Sequence, residues 1–189
     1  CPTSFMGIAN RNPKAKYVIA GVPFDLGTVD RPGTRFGANA IRTASRVVYD
    51  GEHFGKFVDP KTLDIADIGN MPMRTCVIEE NYAIVEREAA QYNHLIALGG
   101  DHSLTLPLLR AAAKKHGGPL ALIHFDAHTD CWPTCFGEKF GNSCVFHHAV
   151  NEGLIDPKEY IQIGIRAKLD KTVYDWIKAQ GITTVTSED

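Results

Sequence analysis

The chain of 189 residues is long enough for one domain with a sizeable core, and its 44% hydrophobic and 22% charged content is ordinary for a globular protein. A formal net charge of -2 supplies no bulk attraction to nucleic acid or to an anionic membrane surface, so neither is expected as a partner. No apolar run approaches the ~20 residues that span a bilayer, and the amino-terminal CPTSFMGIANRNPK lacks the apolar centre of a signal peptide.

The cysteines (Cys1, Cys76, Cys131, Cys135 and Cys144) are odd in number and scattered. That pattern argues against a disulfide framework and for a reducing compartment, which makes a cytoplasmic location the expectation. Cys131 and Cys135 have no second pair with which to build a structural zinc site.

Taken in order, residues 17–24 (YVIAGVPF) form an apolar, β-branched run closed by Pro23 and are expected as a first strand. The loop DLGTVDRPGTRFGANAIR is rich in glycine and fits neither dinucleotide nor P-loop spacing, so it is read as shaping a substrate pocket. Helical spacing follows over 38–48, a strand over 63–68 and a helix over 79–92. A third strand over 94–98 ends in Gly99-Gly100-Asp101-His102, where Ser103 is placed to cap a helix over 104–115.

The stretch 120–130, LALIHFDAHTD, begins as a buried strand and ends in metal-binding side chains. After a loop over 131–143 come a helix over 145–152, a strand over 160–165, a helix over 173–179 and a strand over 182–185. Strands alternating with helices imply βαβ units, hence an α/β fold in three layers with a parallel, doubly wound sheet and a single domain over 1–189. The chain stops directly after a strand, so a longer polypeptide with further carboxy-terminal structure is expected.

In such a sheet, ligands gather beyond the carboxyl ends of the strands, where both GGDH and DAHTD fall. Asp126, His128 and Asp130 alternate with Ala127 and Thr129, and in an extended backbone they share one side. Carboxylates so close together repel unless a cation joins them. With His102 at the same rim, two histidines and two carboxylates make a ligand set compatible with manganese, nickel, iron or zinc. A bridging Asp126 would hold two ions about 3.5–4 Å apart, able to share a hydroxide. Asp101 is read as a cap or orienting group.

GGDHS at 99–103 with HFDAHTD at 124–130 resembles the ureohydrolase family of arginases, agmatinases and guanidino-acid hydrolases, and GVPFDLGTVDRPGTRFGANAIR and QIGIR look like the agmatinase branch. The resemblance implies a metal-dependent amidinohydrolase that splits a guanidino compound into urea and an amine, with a metal-bridging hydroxide as nucleophile. It implies two divalent ions, Mn(2+) first and Ni(2+) second, with His102 and Asp130 on one, His128 on the other and Asp126 on both. Asp130 and His128 are the expected catalytic groups. A trimer or hexamer of identical chains is also implied.

Two departures accompany the resemblance. The family's further aspartate motif, DxDxxDP, is absent, and Asn142-Ser143 stand where close relatives carry His-Gly-Thr. Asn142 cannot shuttle a proton, so it and Trp132 are assigned to substrate binding, with Cys131 and Phe136 as further candidates for an apolar wall. His147 and His148 are read as surface residues of a helix. The same departures support an alternative, a non-catalytic ureohydrolase-like subunit of a hetero-oligomer.

Overall fold

The computed structural model describes residues 3–48, 53 and 55–188. Six strands and five helices alternate through it. The order is β1 (Tyr17–Val22), α1 (Gly37–Ser45), β2 (Ile65–Asn70), α2 (Ile78–Ala89), β3 (His94–Gly99), α3 (Thr105–His116), β4 (Leu120–Phe125), α4 (Val145–Asn151), β5 (Ile155–Ile165), α5 (Lys171–Gln180) and β6 (Thr183–Thr186). All ladders are parallel, and this is the α/β arrangement that the alternating pattern requires.

Among the described residues the hydrogen-bonded ladder is in two halves, β2-β1-β3 and β4-β5-β6. Each half comes from one contiguous stretch of chain. Among the described residues β3 and β4 are each the outer strand of their half, and Ile96, Ile123 and Phe125 on them are exposed. β1 is the centre of its half, and Val18, Ala20 and Val22 are fully buried in the main core with Phe24, Leu106 and Leu109. Tyr160, Phe146, Ile155 and Ile177 extend the same core under β5.

Element ends follow local chemistry. β1 stops at Val22 because Pro23 has no backbone N–H to give the ladder. β5 begins at Ile155, five residues before the expected 160, because Ile155 pairs with Leu120 ahead of a register shift. Asp101, rather than Ser103, caps the turn before α3: its carboxylate accepts the Ser103 N–H at 2.9 Å.

One buried ion pair fastens α1 to β2. Arg42 meets Asp67 at 2.9 Å, with both side chains almost fully enclosed, and Asn70 and the Gly69 carbonyl take its remaining hydrogens. Burial opposes the charge of Asp67, but the Arg42 guanidinium and the Phe5 and Gly69 amides together hold its carboxyl below the usual carboxylate range.

Cys76, Cys131, Cys135 and Cys144 are free thiols, whereas Cys1 lies outside the described residues. Among those residues no helix is long and apolar enough to cross a membrane.

Candidate metal centre

The exit of β3 is built on glycine. Gly100 has φ +52, and a Cβ there would collide with the carbonyl oxygens of Val22 and Phe24. The Asp101 N–H donates to the Phe24 carbonyl at 2.8 Å, and the Asp101 carboxylate accepts the Gly27 N–H at 2.8 Å. Asp101 is thus held by backbone amides and the Ser103 hydroxyl, and burial raises its pKa against those hydrogen bonds. This frame delivers His102 to the rim.

The exit of β4 delivers the carboxylates, although not by extension. The strand ends at Phe125, and Asp126 then accepts the backbone N–H of His128 at 2.9 Å. The amides of Arg166 and Ala167 both reach the Ala127 carbonyl at 3.0 Å, and Asp130 takes a left-handed φ of 48°. Asp130 is thereby turned back towards Asp126, and its carbonyl is held by the Phe146 N–H at 3.0 Å. Convergence arises from a folded turn, because the chain is no longer extended where the alternation would have placed the three side chains.

The result is a tight polar group. His102 Nδ1 lies 2.6 Å from Asp130 Oδ2 and 3.7 Å from Asp126 Oδ2. Burial works against a charged His102, but Asp130, through its hydrogen bond and charge, and Asp126 outweigh it and raise its pKa. Burial likewise opposes the Asp126 charge, yet the His128 amide and the rings of His124 and His102 hold its pKa down.

His124 is the fourth member, and the motif reading passed over it. One potential ligand atom from each of His102, His124, Asp126 and Asp130 falls within 4.8 Å of the others. His124 Nε2 sits 3.4 Å from Asp126 Oδ2, is buried, and has no formed hydrogen bond. Burial and the neighbouring His102 hold this ring below its ordinary pKa. The signal was in the sequence: His124 shares the parity of Asp126 on β4.

His128 stands outside this group. Its side chain is 66% exposed, with Nδ1 3.3 Å from Asp126 Oδ1 on the side facing the opening.

His102, Asp126 and Asp130 floor a cleft of about 840 Å³, with His128 at its opening and His124 behind the floor. Trp132, Phe136 and Asn142 are in its wall, with Thr28 and Asp30 from the glycine-rich loop after β1. Cys131 is not, since it is buried behind the wall with its thiol on the Thr129 carbonyl. The Trp132 N–H donates to the Ser143 carbonyl and the Asn142 N–H to the Gly27 carbonyl, both at 3.0 Å, which ties the two wall loops together. Asn142 Oδ1 and Thr28 Oγ1 are buried without partners. His147 and His148 lie on α4 away from the cleft, half-buried, where His147 stacks on Trp176 at 4.7 Å.

Two buried unpartnered oxygens in the wall and three carboxylates (Asp30, Asp126, Asp130) make the cleft a place for donors and positive charge. An imidazole nitrogen and two carboxylates meeting at one point, beside a further half-exposed imidazole, fit a hard to borderline divalent cation.

Residues 15–189 match the model of the "Arginase family". An agmatinase of Cronobacter sakazakii is 43% identical over 163 residues, covering 83% of this chain and 52% of its own length. A guanidinobutyrase of Pseudomonas aeruginosa is 38% identical over 177 residues, covering 89% of this chain and 54% of its own. Among solved structures, the proclavaminate amidino hydrolase of Streptomyces clavuligerus superposes with a TM-score of 0.89 at 32% identity, over 98% of this chain and 64% of that one. The chain spans about half the length of the curated relatives it matches.

Proposed function

Because the chain belongs to the arginase family, we propose that it is a metal-dependent amidinohydrolase acting on a linear C–N bond of a small guanidino compound to give urea and an amine. The observation that carries this reading is the meeting of His102, Asp126 and Asp130 at the floor of a carboxylate-lined cleft. Two divalent ions, Mn(2+) or else Ni(2+), are the proposed cofactors, held by His102, Asp126, His128 and Asp130. When bound, such a pair supplies a water of lowered pKa and a positive field for charge that develops at the reacting carbon.

The chain's own residues do the rest. Asp126 and Asp130 neutralise the cations and draw a guanidinium inward. Asp130 accepts a proton on its carboxylate, whose Oδ2 faces His102 Nδ1 at 2.6 Å and would serve the cation. His128, exposed at the opening beside Asp126, is the second group we assign to the reaction. Asn142 Oδ1 and Thr28 Oγ1, both without partners, receive guanidinium N–H groups, and Trp132 packs beside them. Homo-oligomerisation as a trimer or hexamer and a cytoplasmic location complete the proposal.

The test is urea release by the full chain loaded with manganese or nickel and offered agmatine, guanidinobutyrate, arginine and guanidine. Urea from at least one is expected, and none from any of them overturns the reading. The second reading, a non-catalytic subunit of a hetero-oligomer, rests on Asn142 standing where a titrating histidine would serve proton transfer. It predicts a stable folded oligomer without stoichiometric metal.

A further inference from the structure

A chain of hydrogen bonds behind the metal group fixes what His124 can do. Gln162 is wholly buried, and its side-chain nitrogen lies 2.8 Å from the Thr129 carbonyl and 2.8 Å from Tyr160 Oη, with Cys131 Sγ at 3.6 Å. A backbone carbonyl only accepts, so the atom facing it is the amide nitrogen, and that nitrogen only donates. Tyr160 Oη therefore receives a hydrogen from Gln162. Among the described residues its own hydrogen has one acceptor, His124 Nδ1 at 3.1 Å.

A ring protonated on both nitrogens would leave the hydroxyl hydrogen of Tyr160, a residue only 1% exposed, with nothing to bond. Nδ1 accepts, and the single ring proton resides on Nε2. Nε2 is the buried atom without a partner, 3.4 Å from Asp126 Oδ2. A protonated nitrogen has no lone pair for a cation. Proximity alone enrols His124 as a ligand, and the direction of the hydrogen bonds removes it.

We propose that His124 is a positioning residue, held by Gln162 and Tyr160 in the tautomer whose Nε2–H, unbonded in this structure, lies 3.4 Å from Asp126 Oδ2, where that carboxylate can accept it on tilting towards the cation. The proposal rests on the metal reading above, since it takes Asp126 as a ligand. Groups of this kind behind a ligand change metal affinity about 10–100-fold when removed.

The experiment begins with the full chain, metal-free, labelled with nitrogen-15 in histidine. Two-bond nitrogen–proton correlations at neutral pH should show His124 as the Nε2–H tautomer, the resonance being assigned by its loss in His124→Gln. The Nδ1–H tautomer, or a doubly protonated ring, overturns the proposal. Adding zinc, chosen because it is diamagnetic, should leave the Nε2–H pattern in place, and a metal-shifted Nε2 overturns it.

Affinity for zinc and manganese then separates positioning from ligation. His124→Leu should weaken binding by about 10–100-fold. His124→Gln, whose amide can still donate, should stay within about threefold of the parent. Equal losses in the two variants, with unchanged melting temperatures, overturn the proposal. If the parent chain binds no divalent cation at all, the metal reading fails and takes this proposal with it, whereas the wrong tautomer in a chain that does bind the cation overturns this proposal alone.

Discussion

His102 Nδ1 and Asp130 Oδ2 lie 2.6 Å apart although one follows β3 and the other follows β4, strands that share no ladder. A proton between these atoms stands in the line that a cation would take. Substituting Asp130 tests that line. Asparagine is the informative replacement, because it tolerates the left-handed φ of 48° that costs most side chains roughly 1–2 kcal/mol. Asp130→Asn should keep the melting temperature within a few degrees and lose divalent-cation affinity by more than about 100-fold, beyond the effect of an outer group. Unchanged affinity by calorimetric titration would remove Asp130 from the ligand set.

Proton and cation compete for His102. Its folded pKa is raised above 6.5 by Asp130 and Asp126 against the opposing effect of burial. In the metal-free chain the raised value stabilises the fold fully below pH 6.5, and that stability is lost as pH rises through the folded pKa. His124, His147 and His148 are lowered by burial and act in the opposite sense, removing stability as pH falls below 6.5. The difference between the parent chain and His102→Asn, followed by urea denaturation from pH 5.5 to pH 9, isolates the first effect. It should shrink with rising pH, while cation affinity of the parent should grow over the same range.

The Arg42–Asp67 pair is a stability determinant remote from the cleft floor. Asp67→Ala strands an almost fully enclosed guanidinium, and unfolding free energy should fall by about 3–5 kcal/mol. Replacing both partners by apolar residues of similar volume should cost far less. A loss under ~1 kcal/mol for the single variant would mean that water reaches the site.

Thiol chemistry should discriminate sharply. Burial pushes the Cys131 thiol up to about 12, against help from Gln162, whereas Cys76 is exposed. Iodoacetamide at pH 7.5 should label Cys76 within minutes and spare Cys131 until the chain unfolds, as peptide mass mapping would show. Labelling of both at one rate would place Cys131 in a solvent path.

Much of this was legible in the residues. The strand–helix alternation gave the fold class, and GGDH and DAHTD announced two arrivals at one rim. Three things were not legible. The 126–130 segment folds back on backbone bonds from Arg166 and Ala167, a long-range constraint that local alternation does not contain. His124 reads as strand interior until Tyr160 and Gln162, over thirty residues later, give its ring a direction. The strand order within each half depends on which strands pair, and periodicity does not specify pairing.

The placement of the ligands gives the cleft floor a mechanical meaning. Residues 17–99 build one sheet and 120–186 the other, and α3 is the covalent connection. The two sheets share one buried core but no backbone ladder among the described residues, so side-chain packing and the connection join them. His102 lies in the connection just past the first sheet, and Asp126 and Asp130 lie at the exit of β4 in the second. A cation held by all three is a cross-link between the connection and the second sheet, and at one hundred times its dissociation constant it would stabilise the folded form by about 2.7 kcal/mol. Binding would then be felt far from the cleft, as slower exchange of amides in both β1 and β5, whose side chains share one core.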